Sequence, residues 1–96
     1  MKLKYIELPT GILNEKLIKQ IVRVGQETFG AGMNEQEVIE HVLPMDRIYL
    51  AFQDNNLVGF ATTQVQNDAL YLAGAAVHPE MQGKGIYREF TTRRIS

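Results

Sequence analysis

The chain has 96 residues, 45% of them apolar and 22% charged, and its formal net charge is −1. These values are typical of one small globular domain and exclude a disordered or fibrous protein. The chain contains no cysteine, which excludes disulfides and thiolate metal sites and fits a reducing compartment. The opening residues lack an apolar run long enough for a signal peptide, and no segment is long enough to span a bilayer. We therefore expect one cytoplasmic domain over residues 1–96, with no membrane partner.

The first half of the chain predicts a strand followed by two helices. Residues 2–8 predict the strand, which ends at Pro9-Thr10-Gly11. Asn14 is placed to cap the first helix, and Gly30-Ala31-Gly32 to end it. Its apolar positions have the spacing of one buried stripe: Leu17, Ile18, Ile21, Val22, Gly25 and Phe29.

The second helix is predicted to begin at Asn34, with Glu37 as its capping-box partner, and to end before Pro44. Its expected core side consists of Val38, Ile39, Val42 and Leu43.

From Arg47 onward the apolar period changes to two, which predicts three strands of an antiparallel meander over residues 47–53, 57–66 and 70–77. The turns are predicted at residues 54–56 and 67–68. The last strand contains Ala73-Gly74-Ala75-Ala76. Small residues inside a strand indicate a bulge or the close approach of a ligand, although tight packing under a helix is an alternative.

A final helix is predicted from Gly85 to Ser96, with Ile86, Phe90 and Ile95 facing inward. The resulting order is β-α-α-β-β-β-α. It predicts an α+β fold with a mixed, largely antiparallel sheet that is left unfinished by the last helix.

The segment from Val77 to Tyr87 connects the last strand to the last helix through a proline and two glycines, Gly83 and Gly85. The first N–H groups of a helix have no intrahelical acceptor, and the helix dipole is positive there, so this segment predicts a phosphate-binding cup. Lys84 and Arg88 are well placed to support it. Arg93 and Arg94 are explained equally well as solvated cations near a helix C-terminus.

Two other phosphate-binding motifs do not fit these glycines. A dinucleotide fingerprint starting at Gly83 requires glycine at position 88, which is Arg88. A P-loop requires Ser or Thr after Lys84, where Gly85 stands.

The segment Gln82-Gly83-Lys84-Gly85-Ile86-Tyr87 resembles the R/Q-x-x-G-x-G/A signature of the GNAT superfamily of acyl-CoA-dependent N-acetyltransferases. The preceding residues, Ala75 to Glu80, look like that family's strand ending and turn. The order of elements also resembles the N-terminal portion of that family, so the resemblance covers essentially the whole chain.

This resemblance implies acetyl-CoA as the cofactor and a small-molecule or peptide amine as the acetyl acceptor. In the family, backbone N–H groups of the loop bind the pyrophosphate, and the bulged strand contacts the pantetheine arm and polarises the acetyl carbonyl. The implied cofactor-binding residues are Ala75, Ala76, Val77, Gln82, Gly83, Lys84, Gly85, Ile86, Tyr87 and Arg88.

The chain departs from the family pattern in two places. Tyr87 occupies the last position of the signature, where the family has glycine or alanine. The chain also ends in the helix after the loop, whereas family members continue into another strand and into a helix that often carries a tyrosine acting as the general acid.

The resemblance does not identify the catalytic residues. The candidate acids and bases also have ordinary structural explanations as helix-start, turn or surface residues, and they are Glu35, Glu37, Glu80, His41 and His78. Two histidines without cysteines predict no metal site. The expected acceptor pocket is flanked by Phe29, Met33 and Met45, for which core packing is the more ordinary role. Arg93-Arg94 without interleaved aromatic residues does not predict nucleic-acid binding.

A second hypothesis is a truncated, non-enzymatic fragment or interaction module. In that case the exposed strand 70–77 would pair with a second copy of the chain to give a homodimer, because an open sheet edge is a template for strand pairing.

Overall fold

The computed structural model describes residues 2–30 and 34–95, which form an α+β fold. In chain order the strands and helices are β1 (Leu3–Pro9), α1 (Glu15–Phe29), α2 (Glu35–Val42), β2 (Arg47–Gln53), β3 (Asn56–Gln66), β4 (Ala69–Val77) and α3 (Ile86–Ile95). The predicted element order is confirmed. Ala31, Gly32 and Met33, together with the predicted helix end at Ser96, lie outside the described residues.

The four strands form one sheet in the order β1-β2-β3-β4, and each neighbouring pair is antiparallel. We expected a mixed, largely antiparallel sheet, and the strand pairs among the described residues are its antiparallel part. Both hairpin turns have two consecutive residues with positive φ, namely Asp54 (49°) with Asn55 (70°) and Asn67 (50°) with Asp68 (64°). This conformation is favoured by Asn and Asp, and it matches the right-handed twist of the flanking strands.

Two asparagines begin the N-terminal helices. Asn14 Oδ1 accepts a hydrogen bond of 2.8 Å from the N–H of Leu17, and Asn34 Oδ1 accepts one of 2.8 Å from the N–H of Glu37. Each bond satisfies an N–H group that has no acceptor inside its helix. Both predicted N-caps are confirmed.

The sheet carries helices on both faces. On one face α1 and α2 enclose a core that includes Ile21, Val24, Ile48 and Leu50. On the other face α3 packs its buried residues Ile86 and Phe90 against Tyr49, Ala51 and Val77. The two faces of the sheet are thus packed against different helices, and the strand–loop–helix segment joins β4 to the helix on the second face.

Three residues that we predicted to face inward are exposed: Phe29 by 54%, Leu43 by 42% and Ile95 by 65%. Phe29 and Ile95 are the last residues of α1 and α3, and Leu43 is the C-cap of α2. The apolar spacing of each helix continues to these positions, but the part of the protein against which the helix packs does not extend that far. Among the described residues, no helix is long and apolar enough to cross a membrane.

Candidate functional site

The segment after β4 has the conformation that its glycines predict. The chain makes a short 3-10 turn at Pro79–Met81 and then passes through Gly83 (φ 82°) and Gly85 (φ 85°) before α3 begins. Residues other than glycine rarely adopt such φ values. A Cβ built on either glycine meets no atom within 4 Å, so the space beside the loop is open.

From Gly83 onward, the amides of this loop are not used by the protein's own hydrogen bonds among the described residues. The first hydrogen bond of α3 runs from the N–H of Glu89 to the carbonyl oxygen of Gly85, at 3.0 Å. Within the described part of the chain, the backbone N–H groups of residues 83–88 have no protein acceptor. Lys84 and Arg88 are exposed on the same turn. Consecutive free N–H groups at a helix start, with two cations beside them, can bind a phosphate or pyrophosphate.

Gln82 is held by the protein itself. Its N–H donates to the carbonyl oxygen of Pro79 (3.4 Å), and its Nε2 donates to the carbonyl oxygen of Val77 (3.0 Å). Thr28 Oγ1, from α1, donates to the same oxygen of Val77 at 3.1 Å. These contacts fix the end of β4, so Gln82 contributes to the shape of the loop.

The turn is also tied to α1 through His78. His78 Nδ1 accepts a hydrogen bond from the N–H of Glu80 (3.1 Å), so the ring proton that faces Glu27 is on Nε2. Glu27 also pairs with Arg23 at 3.3 Å, and Arg23 donates to the carbonyl oxygen of Leu57 at 2.8 Å. In these contacts His78 and Glu80 stabilise the turn between β4 and the loop.

The small residues of β4 form the predicted bulge. Thr62 of β3 faces Gly74, whereas the next residue, Thr63, faces Leu72, so Ala73 is the extra residue. Of the alternatives that the small residues of this strand left open, the register shift shows the bulge. The bend lies on the outer strand of the four-stranded sheet.

Along β4 after the bulge, every second residue has its peptide groups directed away from β3, toward the open edge of the sheet. The bond from the N–H of His78 to the carbonyl oxygen of Val58 (2.8 Å) makes Gly59 and Val77 a non-hydrogen-bonded pair. By the alternation of an antiparallel ladder, the peptide groups of Ala75 and Val77 point away from β3, and those of Ala76 point toward it. Ala75 and Val77 are therefore the two predicted cofactor-binding residues whose backbone groups face the open edge.

Comparison with known proteins decides the family. The family model described as the Acetyltransferase (GNAT) family matches residues 15–89. The chain belongs to the GNAT family. A comparison with curated protein sequences finds no match.

Solved GNAT-like structures share this fold at low sequence identity. The ribosomal-protein-S18-alanine N-acetyltransferase from Escherichia coli superposes with a TM-score of 0.73 at 20% identity, over 96% of this chain and 57% of that one. Escherichia coli ElaA gives a TM-score of 0.75 at 14% identity, over 98% of this chain and 68% of that one.

The aminoglycoside acetyltransferase AAC(6')-Iy, solved with the bisubstrate analogue CoA-S-monomethyl-acetylneamine, has a TM-score of 0.71 at 14% identity. The match covers 99% of this chain and 70% of that one. The chain thus spans between about half and about two-thirds of the length of these three structures.

A cavity of about 160 Å³ in this GNAT domain lies where the two N-terminal helices meet β3 and β4. It is lined by Gly25, Phe29, Val38, His41, Val42, Phe60, Thr62, Gly74 and Ala75. Of the three residues expected to flank an acceptor pocket, Phe29 is part of this lining, Met45 is not, and Met33 lies outside the described residues.

The candidate acids and bases of the sequence do not converge. Glu35 and Glu37 are exposed in the first turn of α2, and Glu80 is exposed on the turn after β4. His41 is the titratable side chain among the described residues that line the cavity. His41 is exposed, as expected for a surface residue, and its spacing of three from Val38 places it beside the buried stripe of α2.

Proposed function

We propose that this chain binds acetyl-CoA and takes part in transferring its acetyl group to the primary amine of a small molecule or peptide. The observation that carries the proposal is the run of backbone N–H groups over residues 83–88 without a protein acceptor. Membership of the GNAT family supports the same reaction class.

The residues at the loop fit the pyrophosphate of coenzyme A. Free N–H groups and the helix dipole attract an anion, and the absence of side chains at Gly83 and Gly85 lets its oxygens approach the backbone. Lys84 and Arg88 supply charge, while Ile86 contributes its N–H and keeps its side chain in the core, where it is 2% exposed. The Tyr87 side chain is 42% exposed, and its N–H belongs to the same run. Gln82 holds the loop against Val77.

The outer edge of β4 is proposed to hold the pantetheine arm and the acetyl group. The outward-facing N–H and carbonyl of Ala75 and the N–H of Val77 can hydrogen-bond an extended amide chain as a neighbouring strand would, whereas the carbonyl oxygen of Val77 already accepts from Thr28 and Gln82. Ala76 contributes mainly by packing, because its side chain is fully buried. When bound, acetyl-CoA supplies an acetyl thioester. The N–H of Ala75, beside the bulge, is the donor that we assign to its carbonyl oxygen.

The cavity between the helices and the bulge is the proposed acceptor site. It is bordered by Gly74 and Ala75, so a molecule held there lies next to the proposed position of the acetyl group. Its lining is mostly apolar, and the polar side chains among its described residues are His41 and Thr62.

Isothermal titration calorimetry with coenzyme A and acetyl-CoA tests this proposal. Several hydrogen bonds to a charged group predict a Kd on the order of micromolar. Gly85→Glu places a carboxylate in the cup and is expected to weaken binding by about 100-fold or more.

The matched control is Gly30→Glu. Gly30 also has a positive φ (89°) and, like Gly85, no atom within 4 Å of an added Cβ, so the variant adds the same charge at a second glycine of positive φ. Gly30→Glu is expected to retain binding. Equal affinities for the two variants would place the cofactor away from the loop, and no binding by the unaltered chain would reject the proposed function.

A second function is favoured by one observation, the uncharged outer edge of the sheet. From Ala69 to Val77 the strand contains no charged residue and no proline, and Leu70, Tyr71 and Leu72 are exposed by 42–48%. Such an edge is suited to antiparallel pairing with β4 of a second copy, because a two-fold axis pairs the strand with itself without charge repulsion.

Light scattering over a range of concentrations distinguishes this alternative. Homodimer formation that is abolished by Tyr71→Lys would support strand pairing, because a lysine on an edge strand blocks it. A chain that stays monomeric would exclude it.

A further inference from the structure

The adjacent arginines of α3 occupy different environments. Arg93 is exposed, bonds Glu89 at 2.9 Å and lies 4.6 Å above the ring of Tyr5. Arg94 is half-buried instead, and its Nη1 donates to the carbonyl oxygens of Thr62 and Gly74, both at 3.3 Å. The sequence left open whether both are solvated cations, and for Arg94 the structure excludes it.

Thr62 and Gly74 are the two residues that face each other at the bulge. The guanidinium of Arg94 therefore bridges β3 and β4 at the point where an extra residue disturbs the ladder. Within the described part of the chain, no carboxylate pairs with this guanidinium, and its buried Nε has no hydrogen-bond partner. Burial lowers the pKa of Arg94 below its ordinary value. A cation kept there without an anion is held by the two carbonyl dipoles.

Thr62 makes a second connection to the same residue. The N–H of Gly74 donates to Thr62 Oγ1 at 3.2 Å, so both backbone polar groups of Gly74 are bonded by side chains. The carbonyl of Gly74 and the N–H of Ala75 belong to one planar trans peptide unit, and they point in opposite directions. When Arg94 holds the carbonyl of Gly74 toward β3, the N–H of Ala75 is turned toward the open edge.

From this geometry we infer that Arg94 is a positioning residue, which together with Thr62 fixes the β3–β4 bulge so that the N–H of Ala75 faces the acyl group of a bound acyl-CoA. The bulge part of this inference depends only on the contacts of Arg94 and Thr62. The acyl part rests on the proposed function. Helix α3 thereby serves both parts of the cofactor, because its first turn offers the phosphate-binding amides and its last turn orients the donor for the acyl carbonyl.

The bulge part is tested by NMR on the free protein. Arg94→Met keeps the length of the side chain but removes its donors. It is expected to shift the amide resonances of residues 73–75 and to accelerate hydrogen exchange at Gly74 by about tenfold. Arg93→Met, one residue away with the same loss of charge, is the matched control and is expected to leave these resonances unchanged.

Thr62 offers a second pair of variants in case Arg94→Met folds poorly. Thr62→Val removes the acceptor for the N–H of Gly74 without changing the side-chain volume, whereas Thr62→Ser retains an Oγ. Faster exchange at Gly74 in the valine variant and near-normal exchange in the serine variant are expected. Unchanged resonances of residues 73–75 in both Arg94→Met and Thr62→Val would overturn the inference.

The acyl part is tested by comparing acetyl-CoA with coenzyme A in calorimetry. Arg94→Met is expected to weaken acetyl-CoA binding by about three- to tenfold while the affinity for coenzyme A stays within about twofold, since one hydrogen bond to the acetyl group is lost. Arg94→Lys, with one ammonium donor, is expected to restore part of the difference.

A purely structural role of Arg94 would change both affinities equally, and that result would overturn its positioning role. If the unaltered chain bound neither compound, the proposed function and the acyl part would both be rejected. The NMR comparison would then still decide whether Arg94 holds the bulge.

Discussion

Gln82 Nε2 donates a hydrogen bond of 3.0 Å to the carbonyl oxygen of Val77, so the first residue of the GNAT signature folds back onto the strand that precedes it. Replacing the amide by a thioether in Gln82→Met removes this donor and keeps the chain length. We expect a loss of about 1 kcal/mol in the free energy of unfolding in urea, because Val77 retains its bond from Thr28.

Gln26→Met is the matched control, since Gln26 is exposed on α1 and glutamine and methionine have similar helix propensities. It is expected to change stability by less than about 0.5 kcal/mol. The same loss in both variants would mean that the bond between Gln82 and Val77 contributes nothing measurable.

His78 performs two separable tasks at the end of β4. Its Nδ1 caps the following turn by accepting from the N–H of Glu80, and its Nε2 faces Glu27 of α1. His78→Ala removes both contacts, whereas the oxygen of asparagine in His78→Asn can still cap the turn. Thermal or urea unfolding should therefore find the asparagine variant more stable than the alanine variant by about 1 kcal/mol. Equal stabilities would mean that the cap is dispensable.

The raised pKa values of two tyrosines lead us to expect a decrease of stability at alkaline pH. Burial raises the pKa of Tyr5 above its ordinary value, with a further contribution from Glu89, and burial followed by Glu7 raises the pKa of Tyr49. As pH rises through the ordinary tyrosine value near 10, the unfolded chain loses these protons first, so the free energy of unfolding falls above about pH 10. In urea unfolding, Tyr5→Phe combined with Tyr49→Phe should flatten this decrease. An unchanged slope in the double variant would assign the alkaline loss to other groups.

Phe90 is the largest fully buried side chain, and its ring meets that of Tyr5 edge-to-face at 5.9 Å. Phe90→Ala leaves a cavity under α3 and should cost about 3–5 kcal/mol, a large fraction of the stability of a small domain. Tyr87→Ala, an exposed aromatic position on the same helix, serves as the control and should cost less than about 1 kcal/mol. Urea unfolding measures both, and similar losses would show that the α3 face is not tightly packed.

The parts of the fold that were predictable from the sequence depend on neighbouring residues. Asn14 and Asn34 cap their helices because their side chains reach N–H groups three residues away. Asn67 and Asp68 form a hairpin turn because they tolerate positive φ. Inward-facing predictions were wrong at Phe29, Leu43 and Ile95, since helical periodicity does not indicate where the opposing surface ends.

The candidate site likewise has a part that was predictable from neighbouring residues and a part that was not. The loop was predictable because Gly83 and Gly85 set its backbone conformation, and the first amides of a helix lack acceptors in any fold. The contacts that hold the loop were not predictable, because Thr28 lies 49 residues from Val77 in the chain.

By itself, therefore, the sequence determined the order of elements, the turns and the backbone conformation of the glycine loop, all of which follow from local backbone preferences. Only the tertiary structure decided which of two adjacent arginines is solvated. Arg94 reaches the carbonyl oxygens of Thr62 and Gly74, and Arg93 stacks on Tyr5. The physical reason is that the environment of a side chain depends on what the fold places opposite it, and residues 32 and 20 positions away along the chain are brought there by packing α3 against the sheet.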